Sequence, residues 1–304
     1  MSANPPIFIV GLPRSASTLW SNIIGSHPNV ARFTEVHFLS VWHRDFRYFL
    51  KHQIGDLSQD ENVTRLIELL FSKDHIIYPK HTIWFWNQIR TLEKAGLKEA
   101  LYKRIIASED RDIGTLFKVL IEEATRCQGR SRAVVKFPVY PAYLGRLIKW
   151  WPEGRIVHIS RDPRALAISK TNDPGGVARL TNRHPWMSLF VPFAYKYFAV
   201  FQYIWTSHVH ARFEGLPNYR LFLYEDLVSN PKKIVQELCN FCELEFDESM
   251  LNPPAGQASS ITGRKTSGFD PSRAEGWKKK ITPFESRLIG YIAKSSMRRF
   301  HYKP

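Results

Sequence analysis

The sequence predicts an α/β fold in which a central parallel β-sheet is flanked by helices. Three observations carry this expectation. Five short apolar runs lie along the chain, helical patterns separate them, and polar or charged residues follow the carboxyl end of every run. With 304 residues, 44% of them hydrophobic, the chain can bury a large core. The expected organisation is a single domain over residues 1–304.

The first run, residues 7–10 (Ile-Phe-Ile-Val), is followed by a helical pattern over 17–24. The second run spans 30–33. Between it and the third run, 133–137, an insertion over about 38–130 reads as mostly helical. That insertion holds many aromatics, including Trp42, Phe46, Phe49, Trp84 and Trp86, and most of them are expected in a helical core. A helix over 140–151, a fourth run over 155–160 and a helix over 164–170 follow. Residues 171–187 are rich in Gly, Pro and Asn and read as a loop. A helix over 188–213, the fifth run at 219–223 and a helix over 231–242 complete the alternation. Residues 254–280 again read as a loop, with added charge.

Open parallel sheets bind ligands outside the carboxyl ends of their strands. In this chain those positions hold Pro13-Arg14-Ser15, Glu35 with His37, Lys136, Arg161 and Tyr224-Glu225-Asp226. Polar and charged groups therefore converge on one rim of the expected sheet.

Lys and Arg number 43 against 28 Asp and Glu, a net charge of +15. This favours an anionic partner: nucleic acid, a membrane surface or a phosphorylated small molecule. A generally basic surface is the plainer reading. No window approaches the ~18–20 apolar residues of a membrane span, and the run at 7–10 is too short for a secretion signal. The expected location is cytoplasmic, without stable membrane insertion. Cys127, Cys239 and Cys242 are too few for a disulfide framework. Cys239 and Cys242 lack a second pair to complete a metal site and read as core residues; no metal is expected.

Residues 11–18 (Gly-Leu-Pro-Arg-Ser-Ala-Ser-Thr) join the first run to its helix. Such a loop turns backbone N–H groups inward, and the helix N-terminus adds its positive dipole. Ser15, Ser17 and Thr18 can donate hydroxyl hydrogen bonds to an oxyanion, and Arg14 offers a planar fork. Against the nucleoside-triphosphate loop G-x-x-x-x-G-K-[ST], Ala16 replaces the second Gly and Ser17 stands where the Lys belongs. The alternative is an ordinary strand-to-helix turn with a Ser/Thr cap. Residues 161–169 repeat the theme. Arg161 leaves the fourth run, Asp162 suits a helix cap, Pro163 suits the first helical position, and Ser169 follows two turns on.

Taken together, these motifs resemble the sulfotransferase superfamily that uses 3′-phosphoadenosine 5′-phosphosulfate (PAPS). Pro-Arg-Ser-Ala-Ser-Thr-Leu at 13–19 is similar to that family's P-R-S-G-T-T-L, departing at Ala16 and Ser17. Residues 161–169 match R-D-P-R-x-x-x-x-S. Residues 223–231 resemble the segment Y-E-D-L-x-x-x-P, and Gly276-Trp277-Lys278 resembles a C-terminal G-x-W-K. The insertion carries no motif of the family. The resemblance implies a P-loop-like nucleotide-binding architecture. It implies that Arg14, Ser15, Ala16, Ser17, Thr18 and Leu19 hold the 5′-phosphosulfate. It assigns the 3′-phosphate to Arg161 and Ser169 and the adenine contact to Tyr224. Arg264 and Lys265 would close over the 3′-phosphate from the loop at 254–280, although their spacing to Trp277 is longer than the family's.

Sulfuryl transfer, like phosphoryl transfer, is an in-line displacement governed by positioning and electrostatic stabilisation. It needs a base near the acceptor. Thr-Glu-Val-His-Phe at 34–38 resembles the family's K-E-x-H-F, which points to Glu35 as base, with His37 as helper or alternative. Lys136 in Lys-Phe-Pro-Val-Tyr resembles K-x-P-x-Y, where it would bridge donor and acceptor oxygens; otherwise it is a solvent-exposed strand-end lysine. The insertion and the loop around Trp186 would frame a small-molecule, carbohydrate or lipid acceptor. The product would be 3′-phosphoadenosine 5′-phosphate (PAP). A homodimer is left open.

Two rival readings remain. A P-loop kinase or nucleotide hydrolase needs a Lys in the first loop, which is missing. An inactive anion binder, acting on nucleic acid or a membrane surface, draws on the +15 charge, but no nucleic-acid module and no basic amphipathic stripe is visible.

Overall fold

A computed structural model describes residues 4–33, 38, 46–72, 83–137, 140–171, 177–188, 190–254 and 269–304. Its five strands are β1 (Asn4–Gly11), β2 (Val30–Phe33), β3 (Arg132–Phe137), β4 (Arg155–Ser160) and β5 (Tyr219–Leu223). They form one sheet in the order β2-β3-β1-β4-β5. Val30 pairs with Arg132 and Ile156 with Tyr219, both in parallel register. Ile7, Phe8, Ile9 and Val10 are all fully buried. Burial of consecutive, rather than alternate, residues means both faces of β1 are covered, which is why the run reads as continuous hydrophobicity.

The chain divides into two compact units. One comprises Met1–Phe8, His27–Phe137 and Tyr143–Gly154; the other comprises Ile9–Ser26, Pro138–Ala142 and Arg155–Pro304.

In the first unit the insertion is helical, as expected, with helices Asp60–Phe71, Ile83–Thr91, Leu97–Ile106 and Ile113–Cys127. Its aromatics form a core: Phe38 stacks on Phe46 at 4.2 Å and on Phe117 at 4.7 Å, and Phe46 stacks on Trp86 at 5.5 Å. Asp112 caps the last helix by accepting from the Thr115 amide at 2.8 Å. Glu123 is buried, yet it is paired with Arg104 (2.7 Å) and Arg126 (3.0 Å), so its charge is compensated.

In the second unit, helices Pro163–Thr171, Phe190–Phe213, Pro283–Ile292 and Lys294–Arg299 enclose a core of Leu12, Leu166, Val200, Tyr203, Met297 and Phe300. The expected loop at 171–187 is corrected here, because residues 177–183 form a helix and 185–187 a 3₁₀ turn. The breakers Asn172, Asp173, Pro174, Gly175 and Gly176 are confined to its first part, leaving Val-Ala-Arg-Leu-Thr-Asn-Arg free to coil. The expected helix over 140–151 begins as a 3₁₀ turn, Tyr140–Tyr143, before Leu144–Trp150. Cys239 and Cys242 are buried in the helix Pro231–Cys242, as read.

A polar cluster sits inside the second unit. The Tyr219 hydroxyl meets Nδ1 of His158 and, at 2.9 Å, Nδ1 of His210. Burial above all, then the proximity of His210, pushes the His158 pKa down to about 3. The folded imidazole thus refuses a proton that the unfolded chain takes up near pH 6.5. Stability is retained above that pH and falls below it, by about 1.4 kcal/mol per unit at most. Urea midpoints measured from neutral pH downward check this. His158→Asn, which keeps a hydrogen-bonding group facing Tyr219, should flatten the decline.

Candidate functional site

The first loop takes its shape from close backbone approach and left-handed residues. A Cβ on Gly11 would lie 2.6 Å from the Ile159 carbonyl oxygen, so only glycine lets β1 run this close to β4. Arg14 (φ 79°) and Ala16 (φ 70°) are both left-handed and flank Ser15. Ser15 is buried, and its hydroxyl donates to the Leu12 carbonyl at 2.6 Å while its amide donates to the same oxygen at 3.1 Å. Its hydrogen is therefore spent on folding the loop. The helix Ser17–Gly25 starts at Ala16 with no side-chain cap. The capped-turn alternative needs such a cap, and the first-turn amides keep their positive end toward the loop.

Ala16 occupies the position where the resembled motif has glycine. Left-handed geometry costs an L-residue about 1–2 kcal/mol. Ala16→Gly should remove that cost at the expense of some unfolded-state entropy, stabilising the protein by about 1 kcal/mol. Thermal or urea denaturation measures it directly.

The two anion-type motifs meet. Arg14 Nε donates to Ser169 Oγ at 2.9 Å, across 155 positions of sequence. Among the described residues, no acceptor engages the two terminal nitrogens of Arg14. Arg161 Nη1 donates to the Arg14 carbonyl at 3.4 Å and Nη2 to the Arg273 carbonyl at 2.8 Å. Its guanidinium lies 4.5 Å from the centre of the Tyr224 ring, and its buried Nε has no partner among the described residues. Tyr224 in turn packs with Val228, Ala274, Ala16 and Leu19. Burial raises the Tyr224 pKa, and the nearby Arg161 opposes this. Arg14, Ala16, Leu19, Arg161, Ser169 and Tyr224 are thus brought together.

The remainder of the second motif is a brace. Asp162 accepts from the Arg164 amide at 2.8 Å and grips its guanidinium at 2.7–3.2 Å. The Asp162 amide donates to Glu225 at 3.1 Å, and the Tyr302 hydroxyl donates to the other Glu225 oxygen at 2.6 Å. Burial raises the Glu225 pKa, while these two hydrogen bonds pull it back. Arg164 also donates to the Lys303 carbonyl and lies 4.7 Å from the Trp277 ring. The C-terminal segment therefore holds the turn that presents Arg161. Arg164, Arg273 and Tyr302 are not among the expected site residues, and Glu225 is expected only as one of the polar residues at the sheet rim. Tyr302 carries no local sequence signal, whereas Arg164 and Glu225 sit within the motifs themselves.

Lys136, next to last in β3, is buried, 3% exposed, which removes the reading of a solvent-exposed strand-end lysine. The candidate bases Glu35 and His37 and the closing residues Arg264 and Lys265 lie outside the described residues. Ser17 is buried at the helix start and Thr18 follows it.

The sequence model described as "Sulfotransferase family" matches residues 5–248. Two solved structures share the fold. The sulfotransferase domain of the Synechococcus PCC 7002 olefin synthase is 21% identical, with 96% of this chain and 94% of that chain covered and a TM-score of 0.58. The sulfotransferase domain of the curacin biosynthetic pathway is 19% identical, with 96% and 99% covered and a TM-score of 0.59. A curated relative, an uncharacterised protein of Aquifex aeolicus (strain VF5), is 22% identical over 298 residues. This chain spans 31% of that relative's length.

Proposed function

The chain belongs to the sulfotransferase family, and from this premise we propose that it moves a sulfuryl group from PAPS to a hydroxyl or amine of a small-molecule, carbohydrate or lipid acceptor. The observation that carries the reading is the Arg14–Ser169 hydrogen bond, with Arg161 fixed beside it on Tyr224. Two motifs of the anion-binding type, distant in sequence, lie side by side, which suits a donor with anionic groups on both the 3′ and 5′ positions of its ribose. The buried Nε of Arg161, without a partner among the described residues, fits such a ligand, because buried donors are stable only when an acceptor reaches them. The terminal nitrogens of Arg14, which no described residue engages, are available to it.

PAPS, when bound, supplies the sulfuryl group and leaves as PAP. In the proposed arrangement the residues of the first loop bind the 5′-phosphosulfate through first-turn amides, with Ser17 and Thr18 hydroxyls beside them. Arg14 offers its fork to the oxygen on which charge builds as the bond to sulfur breaks. Arg161 and Ser169 hold the 3′-phosphate, joined by Arg264 and Lys265. Tyr224 presents its ring to the adenine. Glu35 takes the acceptor's proton on its carboxylate, with His37 as helper or alternative, and the Lys136 ammonium sits between donor and acceptor oxygens. No step requires a metal ion, and among the described residues no cluster of three or more His, Cys, Asp or Glu could hold one.

An acceptor screen with radiolabelled PAPS tests the reading, run beside Glu35→Ala and His37→Ala. Glu35→Ala should lower kcat by about 10²–10⁴-fold while leaving PAP affinity intact. Full turnover in Glu35→Ala moves the base to His37, and turnover with Mg²⁺ and ATP while PAPS is inert replaces sulfuryl by phosphoryl transfer.

A further inference from the structure

The helix Phe190–Phe213 exposes aromatics where a helix in a globular protein usually exposes charge. Phe190, Phe193, Phe201 and Trp205 are all exposed. Steps of three, eight and four residues place them on one face. Trp186, 82% exposed, lies in the 3₁₀ turn that precedes this helix. A row of exposed aromatics of this kind marks a contact that the isolated chain leaves unmade.

Charge decides what covers it. Residues 174–213 contain four Lys or Arg (Arg179, Arg183, Lys196 and Arg212) and no Asp or Glu, with Asp173 just before and Glu214 just after them. The exposed Arg183 precedes the aromatic face, and the exposed Arg212 lies at its far end. There Arg299 approaches His208 at 3.4 Å. Two acids reach this region and each meets a cation or histidine: Lys196 is paired with Glu285 of a neighbouring helix, and Glu214 lies 3.2 Å from His210. A second copy of the chain would set the same cationic segment against itself across a two-fold axis, which like charges oppose. An anionic lipid surface meets both features: it takes Trp and Phe at the headgroup boundary and attracts Arg.

We propose that the face formed by Trp186, Phe190, Phe193, Phe201 and Trp205, bordered by Arg183 and Arg212, seats this protein on an anionic lipid bilayer. The contact is peripheral: among the described residues no helix is long and apolar enough to cross a membrane. The proposal does not depend on the sulfuryl-transfer reading.

Flotation of the full chain with lipid vesicles tests it. Vesicles of phosphatidylcholine mixed with phosphatidylglycerol should carry the protein up the gradient, and vesicles of phosphatidylcholine alone should not. Phe193→Ser with Phe201→Ser and Trp205→Ser should lower the bound fraction at least tenfold, with the far-UV spectrum and Tm unchanged. Because Trp186 is the most exposed of the five, Trp186→Ser alone serves if the triple variant fails to fold, with a several-fold loss expected. Arg183→Ala with Arg212→Ala should weaken binding and reduce its salt sensitivity. Three results overturn the proposal: no flotation with anionic vesicles, flotation unchanged by loss of the aromatics, or a wild-type dimer in light scattering that the aromatic variants convert to monomer.

Discussion

Replacing Arg161 with alanine should lower the affinity for PAP by about 100-fold, roughly 2.7 kcal/mol. Arg161 reaches the Arg14 and Arg273 carbonyls with its two terminal nitrogens and lies 4.5 Å from the centre of the Tyr224 ring, so its guanidinium is oriented before any ligand arrives. The ligand therefore pays little ordering entropy at this contact, and truncation removes both the charge and the preset geometry. Arg161→Lys should recover only a small part of the loss. An ammonium cannot bridge the two carbonyls while covering an aromatic face and keeping a third nitrogen for the phosphate. Calorimetric titration with PAP measures all three proteins. The loss should persist at raised salt, because a partly buried contact is screened less than a general positive surface.

Arg14→Ala should act on the rate more than on donor binding, lowering kcat by about 10²–10³-fold. Its Nε is anchored on Ser169, and no described residue engages the rest of its fork. In the proposed mechanism that fork meets charge that is greatest when the sulfur–oxygen bond is breaking, so its contribution appears chiefly in the transition state. Ser169→Ala, which removes the anchor and keeps the arginine, should give a smaller fall of about tenfold. Single-turnover rates with labelled PAPS separate chemistry from product release. Equal loss in kcat and in PAP affinity for Arg14→Ala would reassign Arg14 to ground-state binding.

The sheet was legible because buried parallel strands leave a continuous apolar signal. The spans 30–33, 155–160 and 219–223 match β2, β4 and β5. The first strand was read short, since Asn4, Pro5 and Pro6 do not look like strand residues; Pro5 nonetheless accepts from Arg132 Nε at 2.7 Å. Helices that depend on tertiary packing were harder to read. The helix Tyr224–Ser229 was hidden inside a motif read for its chemistry. The helix Pro283–Ile292 is announced only by the capping box of Thr282 and Glu285.

At the site, residue types predicted anion binding, but not how the residues hold one another. The Arg14–Ser169 contact joins positions no local pattern relates. The inward turn of the Ser15 hydroxyl follows from the left-handed residues on either side, which sequence alone does not reveal. The same limit hid the aromatic face of Phe190–Phe213. Aromatics usually signal core, and only the packing of Val200 and Tyr203 inward shows that Phe193, Phe201 and Trp205 are left outside.

The most direct measurement is calorimetry of the wild-type protein with PAP, and separately with ATP and Mg²⁺. The account predicts saturable one-to-one binding of PAP, persisting at raised salt, with ATP binding far weaker and indifferent to Mg²⁺. Preference for ATP with Mg²⁺, or heats that track ionic strength alone for both ligands, would contradict it.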